Sequence, residues 1–317
     1  MSIKNARIGF TLIELLVVIA IIGILIGIVT VVAGRVMNQS HNANDLANLR
    51  LMGFATWSHA ADNKGRLLSS RSEPATYWGH NSTPEQEARF WIRSYGTDIN
   101  GDPRMVNIDG QDTELLATLE DGAAFPYIGN VKAYSSPFDP TIGMLEEYVP
   151  GNNNLKPYRI RSYAFNALVG CEWGADDHWG FHQGDQNWPV ESGCNVQTPH
   201  ICKYFLPTET ISQIPQPGGT MCAIGEHDLW GRNLGGFTLH PTEMKWIDVP
   251  ALWNDGLINM SYVDGSTGAI QFESKGLEAA WRQYEHDFFY TDAEDDYRKI
   301  RKVLLPGIIG NVLDIGY

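Results

Sequence analysis

The sequence predicts an α+β fold in which a long N-terminal helix, a membrane half followed by an amphipathic half, packs on a globular head built round an antiparallel β-sheet. Three observations predict it. Leu15 to Gly34 is a run of twenty residues with no ionisable group. Beyond Arg35 the apolar residues Leu46, Leu49, Gly53, Trp57 and Ala60 recur at spacings of 3, 4, 4 and 3, which places them on one helical face. Further on, the apolar runs LINMSYV and GAIQF flank Asp264-Gly265-Ser266-Thr267, the pattern of a β-hairpin.

The first run is long enough to cross a bilayer, since ~20 helical residues span a hydrocarbon core of ~30 Å. A secretory signal peptide has an apolar core of only about 7 to 15 residues, followed by a small-residue cleavage site. The run here is longer, and it begins with an acid, Glu14. A carboxylate in such a setting costs roughly 2.5 to 3.5 kcal/mol on insertion scales, so it needs a partner. Lys4 and Arg7 precede the run, and Gly9-Phe10 stands where this polar leader meets it. A cut between them frees an amine about one helical turn from Glu14. In helices staggered along a common axis, the amine of one chain can then neutralise the carboxylate of its neighbour.

The segment GFTLIELLVVIAIIGIL closely resembles the N-terminal signal of type IV prepilins and type II secretion pseudopilins. The resemblance implies that a prepilin peptidase on the cytoplasmic side cuts after Gly9 and N-methylates Phe10. The family's glutamate at the fifth mature position falls on Glu14. It also implies assembly with copies of the chain or related pilins, on an inner-membrane platform, after storage in membrane lipid.

The domain plan follows from these elements. Residues 1–9 are a leader, 10–34 a transmembrane or filament-core helix, 35–65 its amphipathic continuation and 66–317 a head on the periplasmic or extracellular side. Lys4 and Arg7 on the short side set that orientation. Asn63-Lys64-Gly65 stops the helix, with Gly65 as its cap. Gly23 and Gly27 form a G-x-x-x-G step that suits close helix approach and is equally ordinary in membrane helices.

Formal charge is -14, and loss of the leader with Lys4 and Arg7 takes it to -16. A chain this acidic disfavours nucleic acid as a partner, because phosphate binding needs clustered Lys and Arg. Export permits disulfides among the four cysteines.

Within the head, Pro84 to Tyr95 and Thr113 to Leu119 read as short helices. AFPYIGNVKAYSSPFDP (124–140) and RSYAFNALVG (161–170) resemble segments of prepilin-type proteins that carry an H-x9-DG element. Relatives often have C-P-x-D-P in the first of these. Here Ser136-Pro137-Phe138-Asp139-Pro140 puts serine in the cysteine's place and removes any disulfide formed there. The H-x9-DG spacing itself falls on Asn254, Asp264 and Gly265, with asparagine in place of histidine, so the hairpin motif covers 254–272. Asparagine can cap a turn and tolerates left-handed backbone, but it cannot titrate.

Residues 171–206 form a Trp- and Cys-rich insert. Cys171, Asp176, Asp177, His178, His182, Asp185, Cys194, His200 and Cys202 invite a zinc reading that the spacing argues against, since no C-x2-C accompanies them and Gly174, Gly180 and Gly184 argue for loop. A disulfide between Cys194 and Cys202, or between Cys171 and Cys194, and free buried thiols both remain open. No metal or cofactor is expected. The remaining candidate is Ca2+ held by Asp255 and Asp264 on apposed loops, short of the 6 to 8 oxygens calcium takes.

Thr220 to Glu226 reads as a buried strand, and GLEAAWRQYEHDFF and AEDDYRKIRKVLL as two C-terminal helices, with the acidic run Asp292 to Asp296 as a solvated helix start. A nucleophile elbow, H-E-x-x-H and a phosphate loop are all missing, and His59, His80, His227 and His240 are isolated, which argues against an enzyme. Two functions remain: a pilin-like or pseudopilin filament subunit, or a membrane-tethered or filament-tip module whose ten tryptophans and thirteen tyrosines stack on a glycan or surface ligand.

Overall fold

The structure is a computed structural model that describes residues 12–72, 83–108, 111–142, 159–170, 208–227, 236–239, 245–283, 288–289 and 293–304. The chain divides into two units, Met1–Asn44 and Asp45–Tyr317.

Helix α1 runs unbroken over Leu12–Asp62. In the first unit its residues from Leu12 to Gln39 are all exposed, including the whole uncharged run. It is long and apolar enough to cross a membrane. In the second unit the buried residues are Asp45, Leu49, Met52, Gly53, Ala55, Thr56, His59 and Ala60. This corrects the expected face, because Trp57 and Phe54 point outward at 46% and 53% exposure while polar Asp45, Thr56 and His59 turn in. The helix stops as predicted, with the Gly65 N–H returning to the Ala60 carbonyl at 2.7 Å.

The head's main sheet has four strands, β3 (Tyr163–Phe165), β4 (Met221–Gly225), β6 (Leu257–Tyr262) and β7 (Thr267–Gln271), in the order β3-β4-β6-β7 and antiparallel throughout. Smaller antiparallel pairs join β1 (Met105–Ile108) to β2 (Gln111–Glu114) and β5 (Lys245–Trp246) to β8 (Phe288–Phe289). The two helices expected over 84–95 and 113–119 shrink to α2 (Pro84–Glu87) and α3 (Leu116–Glu120), and a further short helix, α4 (Phe125–Ile128), follows. Thr113 lies in β2 rather than in a helix, and Phe90, Trp91 and Ile92, read as helical, are buried in irregular backbone.

The sheet is covered on both faces. Tyr163, Phe165 and Cys222 join Leu49 and Met52 of α1 in one core, whereas Ala164, Ile224, Ile258 and Met260 join a second core with Trp246, Leu277, Tyr297 and Ile300. The alternation along β3 is the period-two rule of a pleated strand. A bulge interrupts β4, where Met221 and Ala223 oppose the successive residues Tyr262 and Ser261 and Cys222 is the extra residue between them. Its thiol lies 3.2 Å from the Thr56 hydroxyl of α1.

The two C-terminal helices read from the sequence are present, and they close the second core. Helices α5 (Lys275–Gln283) and α6 (Glu294–Leu304) follow the hairpin, and α6 buries Tyr297, Ile300 and Leu304. The Tyr297 ring meets Trp246 edge-on at 5.6 Å. The helix is a second wall of the fold.

A bidentate buried ion pair ties the β1–β2 hairpin in. Arg161 Nε and Nη2 donate to Glu114 at 2.8 and 3.1 Å, Ser94 Oγ donates to the same carboxylate, and the guanidinium stands 5.4 Å from the centre of the Trp91 ring. Removing one member of such a pair strands a buried charge.

Helix α1 lies tight against the sheet at Gly53, where a Cβ would stand 2.8 Å from the Tyr262 carbonyl oxygen and 3.0 Å from Gly265 Cα. Both are backbone atoms that cannot step aside alone. Gly53→Ala is therefore expected to destabilise the head by about 1–3 kcal/mol despite alanine's better helix propensity. Thermal unfolding of the full chain in detergent, followed by near-ultraviolet circular dichroism, checks this. The same change at Gly34, where a Cβ meets nothing within 4 Å, leaves the midpoint unchanged.

Candidate functional site

The motif at the chain's start has one described member. Glu14 lies in the first turn of α1 and is exposed, whereas Gly9 and Phe10 lie outside the described residues.

In the head, the stretches around Ser136, Tyr163 and Asn254 meet against α1. The Asp45 carboxylate is 6% exposed; Tyr163 donates its phenol to Oδ1 at 2.6 Å and Asn259 donates Nδ2 to Oδ2 at 2.8 Å. Burial, and then the charge of Asp45, push the Tyr163 phenol well above its ordinary value, so it remains a donor. Beside this cluster a small cleft is lined by Asp45, Ser136, Phe138, Trp253, Asn254 and Asn259. Thus the structure brings Ser136 and Asn254 to one place.

Both segments act locally as turns. Asp139 accepts from the N–H and hydroxyl of Thr141 on Oδ1 and from Ser162 Oγ on Oδ2, and Ser162 Oγ in turn accepts from the Ser136 N–H. At the other segment the Leu257 N–H returns to the Asn254 carbonyl at 2.8 Å across Asp255 and Gly256, both at positive φ (49° and 76°). That is a tight turn feeding β6, and position 254 opens it. At the far end of β6 the Tyr262 N–H meets the Ser266 carbonyl around a three-residue loop, with Gly265 at φ 82° and Asp264 Oδ1 accepting from the Ser266 N–H and hydroxyl. Glycine takes that conformation without steric cost.

The proposed calcium pair is not formed. Asp255 and Asp264 flank opposite ends of the six-residue β6, roughly 20 Å apart at ~3.3 Å per residue, so one ion cannot touch both. Among the described residues no group of three or more His, Cys, Asp or Glu side chains is placed to hold a metal. One acidic loop went unremarked in the sequence, Asp98-Ile99-Asn100-Gly101-Asp102, whose D-x-N-x-D spacing matches the start of a calcium loop. Pro103 stands where such a loop requires its turn glycine. The Arg104 carbonyl, seventh from Asp98, is already committed to the Leu115 N–H and the Thr118 hydroxyl. The Asp98 carboxylate instead accepts the N–H groups of Asn100 and Asp102, and the latter bond leads in holding it below its ordinary pKa.

Cys171, Cys194 and Cys202 lie outside the described residues, as do His80, His178, His182, His200 and His240. Cys222 is a free buried thiol, and burial pushes its pKa up to about 12, which keeps it protonated and unreactive. Trp91 and Trp246 are fully buried core residues rather than a stacking platform.

Glu294 and Asp295 are exposed at the helix start as expected, but Asp296 departs from the solvated run. It is 1% exposed, and its carboxylate accepts the N–H groups of Glu273 and Ser274, the Ser274 hydroxyl and the Lys299 ammonium. Burial alone would raise its pKa, but these donors outweigh it and hold the carboxyl below its ordinary value. The sequence signal was a single acid spaced to face inward on an amphipathic helix.

Comparison with known proteins is informative at one end of the chain. The model of the prokaryotic N-terminal methylation motif matches residues 4–30. With the long apolar helix behind it, this match is consistent with a type IV pilin-like prepilin. Proteins with this motif are structural rather than catalytic, and the motif implies processing by prepilin peptidase and assembly with other pilin subunits. No curated protein and no solved structure matches the chain.

The Asp296 cluster yields a prediction with a defined sign. A carboxyl whose folded pKa lies below its unfolded value of 3.8 stabilises the fold above 3.8, and that contribution is lost as pH falls through the folded value. Asp296→Asn is expected to lower stability by about 1.5–3 kcal/mol at neutral pH, with the gap to wild type closing in strong acid. Urea titrations at a series of pH values measure it.

Proposed function

We propose that this chain is a pilin-like or pseudopilin structural subunit, cut after Gly9, N-methylated on Phe10 and assembled into a type IV pilus-like or type II secretion filament. The methylation motif over residues 4–30, heading a described helix whose apolar residues are exposed from Leu12 to Met37, carries the reading. So large an unpartnered apolar surface is unstable in water and needs lipid or neighbouring helices. A membrane-stored subunit has the first and a filament subunit the second.

Glu14 gives the transition between the two states its direction. The new amine at Phe10 and the carboxylate of a neighbouring chain neutralise each other in a low-dielectric environment, where an unpaired charge is costly. The amine exists only after cleavage, so processing would license assembly. Prepilin peptidase, an inner-membrane platform and other pilin subunits are the partners this scheme requires, and the head would lie on the periplasmic side of a single span.

N-terminal mass spectrometry of protein from cells with an active prepilin peptidase is expected to find a chain beginning at Phe10 and heavier by one methylene. A chain that still begins at Met1 overturns the reading. Glu14→Ala is expected to be cut normally yet to leave filaments at or below about a tenth of wild-type yield, if its pairing is worth the ~1.4 kcal/mol of a tenfold change. Shear fractionation and electron microscopy measure that yield.

A further inference from the structure

Asn100-Gly101 is the one Asn-Gly step in the sequence. It stands at the tip of a tight loop, closed by the bridge between Thr97 and Pro103 and by the Asp98 N–H donating to the Asp102 carbonyl at 2.8 Å. Both residues are exposed, and Ile99 beside them is almost wholly in solvent. An asparagine followed by glycine carries its own electrophile and nucleophile. The side-chain amide carbon and the main-chain nitrogen of the next residue can close into a cyclic imide, and glycine puts no Cβ in the way. Asparagine is accordingly a thermally labile residue.

The surroundings favour this step over others in the chain. A Cβ built on Gly101 would meet nothing within 4 Å, so the space beside its nitrogen is open to water. Asn166 and Asn259, by contrast, are buried and committed to distant partners, the first to the Met221 and Leu304 carbonyls and the second to Asp45. Asp121-Gly122, the analogous aspartate step, is closed off. There Asp121 is engaged by Arg104, and a Cβ on Gly122 would stand 2.2 Å from the Trp91 carbonyl oxygen, so that backbone has no room to rearrange.

What opposes ring closure is Asp98. Its Oδ1 accepts the Asn100 N–H at 2.9 Å, its Oδ2 accepts the Asn100 side-chain amide at 3.3 Å, and its carbonyl accepts the Gly101 N–H at 3.2 Å. The electrophile and the nucleophile are thus each held to Asp98 rather than to one another. Two of the three bonds are at the long end of the normal range, and the groups they hold face water. They slow the reaction without preventing it.

We propose that Asn100 is a site of spontaneous covalent modification, converted through a cyclic imide with Gly101 to aspartate or isoaspartate at a pace set by Asp98. Hydroxide removes the Gly101 amide proton, the freed nitrogen bonds to Asn100 Cγ, and the Cγ–Nδ2 bond breaks. The departing nitrogen takes a proton from water and leaves as ammonia, which restores the hydroxide. Water then adds to one of the two imide carbonyls and that carbonyl's bond to nitrogen breaks. Opening at Cγ gives aspartate; opening at the main-chain carbonyl gives isoaspartate, with the chain now running through the side chain. The net change consumes one water and releases one ammonia, with no oxidant or reductant. Either product replaces the amide that donates to Asp98 with a carboxylate between Asp98 and Asp102, and these like charges repel. The isoaspartate form also lengthens the main chain inside the closed loop. The modification stands on the head alone and holds whether or not the chain forms filaments.

Incubation of the full chain in detergent in mild base, followed by peptide mapping with electron-transfer fragmentation, tests it. The peptide holding Asn100 is expected to exchange its amide for an acid, in both aspartate and isoaspartate forms, faster than the other described asparagines and in proportion to hydroxide. Asp98→Ala frees the side-chain amide and is expected to speed the conversion roughly 2- to 10-fold, the range that one net hydrogen bond spans in an equilibrium. An Asn100 that does not convert or is outpaced by another described asparagine, a product with no isoaspartate, or a rate in Asp98→Ala at or below that of wild type overturns the proposal. Should Asp98→Ala fail to fold, the wild type in guanidinium chloride supplies the unrestrained rate. A slower conversion in the folded chain than in the denatured one supports the restraint, and an equal or faster one sinks it.

Discussion

The closeness of α1 to β6, which the absence of a side chain at Gly53 permits, is the constraint on which the head depends. At that distance the helix presents Asp45 to Tyr163 and Asn259, and Thr56 to the bulged Cys222. The contact face is unusually polar for a helix lying on a sheet, and this polarity specifies register. A slide of one helical turn, ~5.4 Å, would separate Asp45 from both donors and leave three buried polar groups to be satisfied afresh. Each such group costs about 1–3 kcal/mol unpaired, so the alternative seating is strongly disfavoured although its apolar contacts are similar. Leu49 and Met52 make the interface stable, and Asp45 makes it unique.

The opposite face of the sheet is closed by a different device. There α6 rests on Ile258 and Met260 through Tyr297 and Ile300, with Trp246 between Tyr297 and Phe272. Asp296 fastens its first turn to the chain leaving β7, accepting from the backbone of Glu273 and Ser274, while Asn166 of the segment after β3 donates to the carbonyl of Leu304 at its last turn. Both ends of the helix are therefore tied by hydrogen bonds that are long-range in sequence. The head is a three-layer arrangement of helix, sheet and helix, and its two polar anchors, Asp45 and Asp296, sit one on each outer layer.

Legibility in the sequence followed the range of the interactions. The uncharged run, the Gly65 stop, strand β4 and the hairpin at Asp264-Gly265 were readable because each is set within about twenty residues of chain. The buried face of α1 was misread at Trp57 for the opposite reason. Asp45 and Thr56 are buried by partners 118, 214 and 166 residues away, which no local periodicity reveals. The run before Asp296 looked solvated because four neighbouring acids normally are, and the exception is visible only when Lys299, Ser274 and the backbone of Glu273 converge on it. Trp91 and Ile92 lie outside any helix and are buried, and the Arg161 that stands over the Trp91 ring is paired with Glu114, again a contact distant in sequence.

The asparagine at 254 is best understood from the cleft it lines. Its carbonyl closes the turn into β6, a role that any residue's backbone can fill, asparagine or histidine alike. The side-chain difference is felt in the cleft, which Asn254 shares with the buried carboxylate of Asp45. A histidine there would be drawn towards its charged form by that carboxylate and would make the seating of α1 respond to pH at its most specific contact. Asparagine offers hydrogen bonds and no titration.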